Sequence, residues 1–326
     1  MTTPYGSSAS ERDYFLDTPH HQRLYLIYTL KCNYACKHCF VSSGPDRTEK
    51  MLERDAEVII ESAAACGYRV IYLTGGEVML YYKEILRLIK KISDLGMHSI
   101  LETNGSWAID DRRTKRRMAQ LIEAGCDCIA ISMDSYHEPF GGIEYCIRIH
   151  EHATRHDLPC RILVVASEDV GSDDRILSEL RQRGIPYFYE ELLSVGRGDT
   201  ISNDAVLLQT KRCDSIGATV LTNGDIISCA GALRGSHARR DLPLYSGNLI
   251  REDARTVLRR DQKNVIARAI EQKGHQFLID NLDEELLARV PQNCSDKSIC
   301  DFCHKFLSDK PIVQSLREKL RSQASF

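Results

Sequence analysis

Short apolar runs alternate with longer amphipathic stretches through the first 190 residues of the chain. Six runs have the length and the β-branched and aromatic content of buried strands, at residues 24–29, 70–74, 99–103, 128–133, 161–165 and 187–191. The stretches between them repeat apolar residues at helical spacing, at residues 54–66, 82–95, 111–124, 143–156 and 174–183. Strands that alternate with helices favour βαβ units and a parallel sheet. Because six strands are fewer than the eight of a closed barrel, we expect a partial (β/α)6 barrel.

The alternation stops near residues 195–199, where the sequence reads Val-Gly-Arg-Gly-Asp. Beyond this point Asn223-Gly224-Asp225 separates two apolar runs, which is typical of a β-hairpin. Two polar helices are expected at residues 253–273 and 283–290. The sequence therefore predicts three parts, listed in chain order: an N-terminal extension (1–21), the α/β partial barrel (22–198) and a smaller α+β domain that contains the hairpin (199–326).

The composition is that of an ordinary globular protein, with 43% hydrophobic and 27% charged residues among 326. A formal net charge of −3 argues against a broad nucleic-acid or membrane surface. Residues 1–20 lack the apolar core of a signal peptide, and no apolar run reaches the length of a transmembrane helix. We therefore expect a cytoplasmic protein that binds neither nucleic acid nor membranes.

Thirteen cysteines change this picture, because a reducing compartment makes a disulfide framework improbable and favours metal binding. Cys32, Cys36 and Cys39 follow the first predicted strand as C-x3-C-x2-C. The carboxyl ends of parallel strands are where active sites form. Three thiolates can hold an iron–sulfur cubane with one open iron, whereas a structural zinc site needs four ligands. His38 lies awkwardly between two of the cysteines as a fourth zinc ligand, so we favour an iron–sulfur cluster and keep zinc as the alternative.

The cysteine motif, followed by the aromatic Phe40, resembles the signature of the radical S-adenosylmethionine (SAM) enzymes. Gly75-Gly76-Glu77 after the second strand resembles the GGE motif of that family. Weaker matches end the next two strands, at Glu102-Thr103-Asn104-Gly105 and Ile131-Ser132-Met133-Asp134. The resemblance covers about residues 22–195.

The resemblance implies a [4Fe–4S] cluster on the three cysteines, with SAM bound at the open iron. It also implies reductive cleavage of SAM to a 5′-deoxyadenosyl radical that abstracts a hydrogen atom from a substrate. An electron donor such as flavodoxin or ferredoxin would supply the electron. For Arg161 the alternative is a salt bridge within the barrel, and for Ser132 it is hydrogen bonding at the strand end. The residues implied in binding SAM are Phe40, Gly75, Gly76, Glu77, Thr103, Asn104, Ser132, Asp134 and Arg161.

A second group of cysteines lies in the C-terminal part. Cys213 and Cys229 flank the predicted hairpin, and Cys300-x2-Cys303 is a local chelating pair. Two distant and two paired ligands can close a four-coordinate metal site. This part is similar to the SPASM and twitch modules of radical SAM enzymes, which implies an auxiliary [4Fe–4S] cluster on these four cysteines; a zinc site with the same ligands is the alternative. Cys294 either replaces one ligand, donates a hydrogen atom to a substrate radical, or is an ordinary thiol.

Two classes of substrate fit this layout. We favour the maturation of a ribosomally made precursor peptide by crosslinking, epimerisation or oxidation. The alternative is a dehydrogenase or another modifying enzyme that acts on a small molecule such as an amino sugar. A non-catalytic zinc or iron–sulfur protein would explain the cysteines, but it would not explain Gly75-Gly76-Glu77 after the second strand.

Overall fold

The chain forms two compact units. A computed structural model describes residues 18–167, 171–190, 192, 195–201, 213, 216–234, 236–291 and 299–322. One unit comprises Met1–Lys37 and Ser43–Leu192, and the other comprises His38–Ser42 and Leu193–Phe326. The division after Leu192 lies close to the boundary expected after residue 198, while the roles assigned to the three parts stay predictions. Most of the expected N-terminal extension lies outside the described residues.

A parallel sheet of six strands forms the first unit. Each strand pairs with the next along the chain, and all five pairings are parallel. The strands are β1 Arg23–Thr29, β2 Val70–Gly75, β3 His98–Thr103, β4 Cys128–Ser132, β5 Cys160–Val165 and β6 Tyr187–Glu190. Every strand lies within one residue of the expected bounds, and the predicted parallel α/β architecture is confirmed.

A helix follows each of the first five strands. The helix α2 shows why these segments are helical, because its residues Ile85, Leu88, Ile89 and Ile92 recur at helical spacing and are all fully buried. Asp110 caps another helix, its side chain accepting a hydrogen bond from the Arg113 amide at 2.7 Å. The helices are α1 Glu53–Ala65, α2 Tyr82–Asp94, α3 Asp111–Glu123, α4 Glu144–Thr154 and α5 Asp174–Gln182.

The second unit contains a small antiparallel sheet. The turn at Asn223 and Gly224 joins β7 to β8, and β8 pairs on its other side with β11. A ribbon of two short strands, β9 and β10, lies between them in sequence. The strands are β7 Ile216–Val220, β8 Asp225–Cys229, β9 Leu233–Arg234, β10 His237–Ala238 and β11 Tyr245–Asn248.

The described part of this unit also contains five α-helices, which are α6 Ala254–Gln262, α7 Val265–Asp280, α8 Glu284–Leu287, α9 Ile299–Ser308 and α10 Lys310–Ser322. The single helix expected over 253–273 is wrong. The Asn264 side chain accepts a hydrogen bond from the Ala267 amide at 3.2 Å, so it ends one helix and caps the next. Within α7, Gly274 has φ of 82° and breaks the regular helix. No helix in the described ranges is both long and apolar enough to cross a membrane.

Candidate metal and cofactor sites

The loop after β1 is held by the chain segment that returns from it. The Leu30 amide donates to the Glu49 carbonyl at 2.8 Å, and the Cys32 amide donates to the Gly44 carbonyl at 3.1 Å. The Gly44 amide in turn donates to the Leu30 carbonyl at 3.1 Å. These backbone bonds do not depend on any side chain of the loop, so they shape it directly.

N–H donors surround the sulfur of Cys32. The Tyr34 amide donates to Cys32 Sγ at 3.3 Å, and Asn104 Nδ2 lies 3.7 Å from the same atom. The same Asn104 Nδ2 group also donates to Asn33 Oδ1 at 3.0 Å. Donors around a thiolate favour its charged, metal-binding form. Asn104, expected to contact SAM, therefore also contacts the cysteine loop.

Cys39 and Phe40 belong to the second unit, although they continue the same loop in sequence. The Cys39 carbonyl accepts from the Ser42 and Arg197 amides, each at 3.1 Å. Gly196 has φ of 64°, and a Cβ added there would lie 2.2 Å from the Phe40 carbonyl oxygen. The backbone of Cys39 and Phe40 is thus packed tightly against a glycine turn. Their roles towards a cluster and SAM stay predictions.

Gly75 and Gly76 pack against the end of β1. A Cβ at Gly76 would lie 2.2 Å from the Lys31 carbonyl oxygen, and one at Gly75 would lie 2.4 Å from that of Thr29. The Gly76 amide donates to the Thr29 carbonyl at 2.7 Å. We expected these glycines to admit a cofactor, but the structure gives another reason for them: they let β2 approach the start of the cysteine loop.

Glu77 joins the ends of two neighbouring strands. Its carboxylate accepts from the Met79 amide at 2.9 Å, the Asn104 amide at 2.8 Å and the Thr103 hydroxyl at 2.9 Å. Burial raises the pKa of this carboxyl group. The Thr103 hydroxyl also accepts from Trp107 Nε1 at 3.1 Å. Glu77 and Thr103 therefore bond to each other, and whether Glu77 also holds the ammonium group of SAM stays a prediction.

Asp134 is fully buried and faces backbone and imidazole donors. Its carboxylate accepts from the amides of Tyr136 and His137 at 3.0 and 3.1 Å, and from His137 Nδ1 at 2.8 Å. Burial alone would lower the pKa of His137, but Asp134 and then Cys36 raise it to about 10. The structure thus engages Asp134 within its own loop, and its expected contact with SAM stays a prediction.

Ser132 and Arg161 lie on adjacent strands. Ser132 ends β4 and is partly exposed, in register with Leu163 of β5. Arg161 is 8% exposed, and its guanidinium lies 5.6 Å from the centre of the Phe188 ring. Burial raises the pKa of Glu102, and the hydrogen bond with Thr74 and then the charge of Arg161 partly offset that rise. Both expected roles of Arg161, in the barrel and towards SAM, stay predictions.

Four cysteines of the second unit line one cavity: Cys213, Cys229, Cys300 and Cys303. A hydrogen bond with Cys213 and burial raise the pKa of Cys229 well above its usual range, and burial raises that of Cys300 to about 12. Such thiols stay protonated in a dry cavity unless a metal takes them as thiolates. Their donor set fits a four-coordinate zinc ion or an iron–sulfur cluster.

Gly231 leaves space beside these sulfurs. A Cβ added there would lie 3.0 Å from Cys300 Sγ and 3.3 Å from Cys229 Sγ. Its amide donates to Cys229 Sγ at 3.1 Å, and its carbonyl accepts from His304 Nε2 at 2.7 Å. The turn after β8 therefore offers an N–H group to the metal ligands and leaves space beside them.

Sequence reasoning missed Gly231 and two histidines that line the same cavity, His275 and His304. Burial lowers the pKa of His275 to about 4. The position of Gly231 two residues after Cys229 was a readable signal, because a glycine that close to a ligand commonly admits backbone near a metal. No sequence signal identifies the two histidines, since His275 lies on α7 and His304 on α9, and these helices come together only in the folded unit. Cys294, a candidate ligand or hydrogen-atom donor, lies outside the described residues.

Comparison with known proteins decides the family of the first unit. Residues 26–170 match the family model described as the Radical SAM superfamily. This segment is a radical SAM domain. The predicted [4Fe–4S] cluster and SAM are the cofactors of that family, so this expectation is confirmed at the level of the family. Cys32, Cys36 and Cys39 carry its cysteine motif.

Relatives of the radical SAM domain have diverse names. A "Putative peptide biosynthesis protein YydG" from Bacillus subtilis is 30% identical over 174 residues, which are 52% of this chain and 54% of the relative. A "GTP 3',8-cyclase" from Chlorobaculum tepidum is 27% identical over 168 residues, 51% of this chain and 48% of the relative. The chain thus spans about half the length of these relatives.

A solved structure of similar fold is described as native anSMEcpe with bound AdoMet and Cp18Cys peptide. It aligns with a TM-score of 0.52 and 13% identity, covering 93% of this chain and 99% of the other. At this identity the likeness concerns the fold alone. It supports the parallel α/β architecture of the first unit.

Proposed function

We propose that this protein is a radical SAM enzyme that modifies a peptide, with an auxiliary iron–sulfur cluster in its second unit. The similarity to the peptide biosynthesis protein YydG, at 30% identity over 174 residues, carries the choice of substrate. The cysteine motif after β1 and the Gly75-Gly76-Glu77 motif after β2 carry the choice of chemistry. Crosslinking, epimerisation and oxidation of the peptide all remain within this proposal.

Around the loop after β1 the protein has to hold a cluster and orient SAM. When bound, the cluster and SAM supply a 5′-deoxyadenosyl radical for hydrogen-atom abstraction. Cys32, Cys36 and Cys39 hold the cluster, and Asn104 and the Tyr34 amide donate to the Cys32 sulfur. The strand ends that carry the SAM-binding residues are fixed by their own hydrogen bonds, as between Glu77 and Thr103, so little rearrangement is needed on binding. An electron donor such as flavodoxin or ferredoxin delivers the electron.

In the second unit the four-thiol cavity holds the auxiliary cluster. Cys213, Cys229, Cys300 and Cys303 offer four sulfurs, which fill the iron sites of a [4Fe–4S] cubane. Such a cluster can accept an electron from a substrate radical, which suits oxidative peptide modification. A zinc ion bound by the same four cysteines would have no redox role.

The test is anaerobic purification followed by assay with dithionite, SAM and short peptides encoded beside the gene. We expect a brown protein that forms 5′-deoxyadenosine and changes the mass of one such peptide. Colourless protein containing zinc would overturn the cluster assignments. Formation of 5′-deoxyadenosine with an unchanged peptide would overturn the peptide assignment and leave the radical SAM chemistry in place.

A second candidate substrate is a small molecule, and one observation favours it. The GTP 3',8-cyclase of Chlorobaculum tepidum is 27% identical over 168 residues. A panel of nucleotides and amino sugars in the same assay separates the two candidates. Turnover of GTP or an amino sugar, without turnover of any peptide, would favour the small-molecule function.

A further inference from the structure

The four-thiol cavity of the second unit contains one polar atom that its thiols do not explain. His275 lines the cavity and is 4% exposed. Its Nε2 atom is buried and, within the described ranges, has no hydrogen-bond partner. Apart from thiols, the cavity wall is largely aliphatic, with Ile216, Leu244 and Ile270. A buried nitrogen left without a partner costs free energy, so such an atom in a dry site points to a missing acceptor.

The other imidazole at the cavity is already engaged. His304 Nε2 lies 2.7 Å from the Gly231 carbonyl oxygen, so it donates its proton there and supports the turn beside Cys229. The two histidines therefore differ in kind. His304 fixes the backbone of the ligand loop, whereas His275 keeps a nitrogen for whatever occupies the cavity.

A kink in α7 directly precedes His275. Gly274 has φ of 82° and ψ of 177° in the middle of α7, a conformation that side chains rarely adopt. The ring of His275 packs edge-on against Phe302, between the two ligands of α9, with the ring centres 6.0 Å apart. The kink and this contact fix the imidazole at the wall formed by Cys300 and Cys303.

We propose that His275 donates its Nε2–H to a sulfur of the auxiliary cluster and thereby makes that cluster easier to reduce. The proposal rests on the proposed function, because it needs an iron–sulfur cluster in the cavity. Four cysteines already satisfy four irons, so the imidazole acts on a cysteine thiolate or a bridging sulfide and not on iron. A reduced cluster carries more negative charge on its sulfurs, and an N–H group directed at them stabilises that state.

The experiment uses the full chain with Cys32, Cys36 and Cys39 replaced by Ala, so that only the auxiliary cluster contributes to the spectra. In this background we compare His275, His275→Gln and His275→Phe. The glutamine keeps an N–H donor, and the phenylalanine keeps only the ring. Ile270→Val is the matched control, because it alters the wall of the same cavity without touching a donor. The readouts are iron content, the midpoint potential from an EPR-monitored titration, and the deuteron coupling of the reduced cluster in D2O.

We expect about four irons in all variants and a more negative midpoint potential for His275→Phe than for His275. His275→Gln should lie between them, and Ile270→Val should match the unchanged protein. One exchangeable deuteron coupling should vanish in His275→Phe only. An unchanged potential and coupling in His275→Phe would overturn the hydrogen bond. The hydrogen bond would also be overturned if His275→Phe lost iron and the protein with His275 showed a nitrogen coupling as large as that of a direct iron ligand. His275 would then bind iron itself. Absence of iron from the background protein itself would instead overturn the auxiliary cluster of the proposed function.

Discussion

Gly231 leaves little spare room beside the cysteines of the second unit. Gly231 lies where one extra carbon would approach Cys300 Sγ to 3.0 Å, and its amide donates to Cys229 Sγ. An added side chain would therefore crowd these sulfurs, and the reason is packing and not an unusual φ. A methyl group there competes directly with the volume of a bound cluster.

We predict that Gly231→Ala lowers the iron content of the reconstituted protein by about half, from roughly eight to roughly four irons. The added carbon displaces the Cys300 and Cys229 sulfurs from the positions a cluster needs. Gly142→Ala is the control, because its added carbon meets only the mobile end of the Glu144 side chain. Iron analysis checks this, and full iron in Gly231→Ala would contradict it.

A second prediction concerns Thr103, whose hydroxyl serves Glu77 and Trp107 Nε1 at once. Thr103→Val keeps the shape but removes the hydroxyl, so Trp107 Nε1 loses this acceptor and Glu77 loses one of its donors, keeping those of the Met79 and Asn104 amides. We expect a loss of about 1–3 kcal/mol in the free energy of unfolding. Trp107, the only tryptophan of the chain, reports urea unfolding by its fluorescence at the site itself.

The control for this change is Thr154→Val, which removes an exposed hydroxyl bonded only to the His150 carbonyl. That variant should stay within about 0.5 kcal/mol of the unchanged protein. Equal stability of Thr103→Val and Thr154→Val would show that the bonds to Glu77 contribute nothing.

Sequence patterns predict candidate residues for the first site but not the contacts that these residues make. The spacing of the cysteines and the position of Glu77 were readable, because both follow strands in a βα alternation. That Glu77 would bond to Thr103 depends on β2 lying beside β3, which spacing alone does not reveal. His275 could not be found at all, since its relation to Cys300 arises from packing between distant helices.

At the scale of elements, Asp225 holds the hairpin of the second unit together. Its carboxylate accepts from Arg240 Nη2 at 2.8 Å, Asn248 Nδ2 at 2.9 Å and the Tyr245 hydroxyl at 3.1 Å. These partners come from β11 and from the loop before it. Burial alone would raise the pKa of Asp225, but the bonds from Asn248 and Arg240 lower it below its ordinary value.

A lowered pKa in the folded state means that the ionised form is the one that folding favours. The stabilisation is therefore complete above the unfolded pKa, near 4, and is lost as the pH falls through the folded value. We predict that Asp225→Asn costs about 1–3 kcal/mol at neutral pH, because an amide presents a donor to Arg240 and Asn248. The variant should also lose part of the acid dependence below about pH 4.

Hydrogen–deuterium exchange of the β8 amides, with urea unfolding followed by circular dichroism, measures this effect. Asp241→Asn is the control, since its ion pair with Arg239 is exposed and contributes little. If the free energy of unfolding of Asp225→Asn and Asp241→Asn changed with pH in the same way, the stabilising role of ionised Asp225 would be refuted.

The elements themselves were predictable to different degrees in the two units. Regular alternation predicted all six strands of the first unit, because most of their apolar residues are buried; only β6 ends in two exposed residues, Tyr189 and Glu190. The helix boundary at Asn264 was missed, since apolar spacing runs through it and only the side-chain cap ends the helix. Helices α9 and α10 are not among the predicted elements, although Phe302, Phe306 and Leu307 of α9 recur at helical spacing and are buried.

At the scale of the whole molecule, the proposal assigns different tasks to two metal sites. We predict that replacing Cys32, Cys36 and Cys39 by Ala removes about half of the iron and all formation of 5′-deoxyadenosine, because no open iron remains for SAM. Replacing Cys300 and Cys303 by Ala should remove the other half. That second variant should still cleave SAM without turning over substrate.

Iron analysis and chromatography of 5′-deoxyadenosine check both variants. Cleavage of SAM by the first variant would exclude the mechanism. Unchanged iron content in the second would exclude the auxiliary site, and Cys66→Ala, which alters a cysteine outside both motifs, is the control for general loss of cluster.

The backbone bonds that hold Cys32 to Gly44 have a consequence for how the protein is made. They close within about 20 residues of chain, and the Arg197 amide that binds the Cys39 carbonyl also precedes residue 213, so the first cysteine loop can form before the thiols of the second unit have all been synthesised. The four thiols of the second unit span residues 213–303, so their cavity can form only after nearly all of that unit has been translated. Iron delivery should therefore be staggered, with the radical-forming site ready for loading well before the site that we propose controls the product.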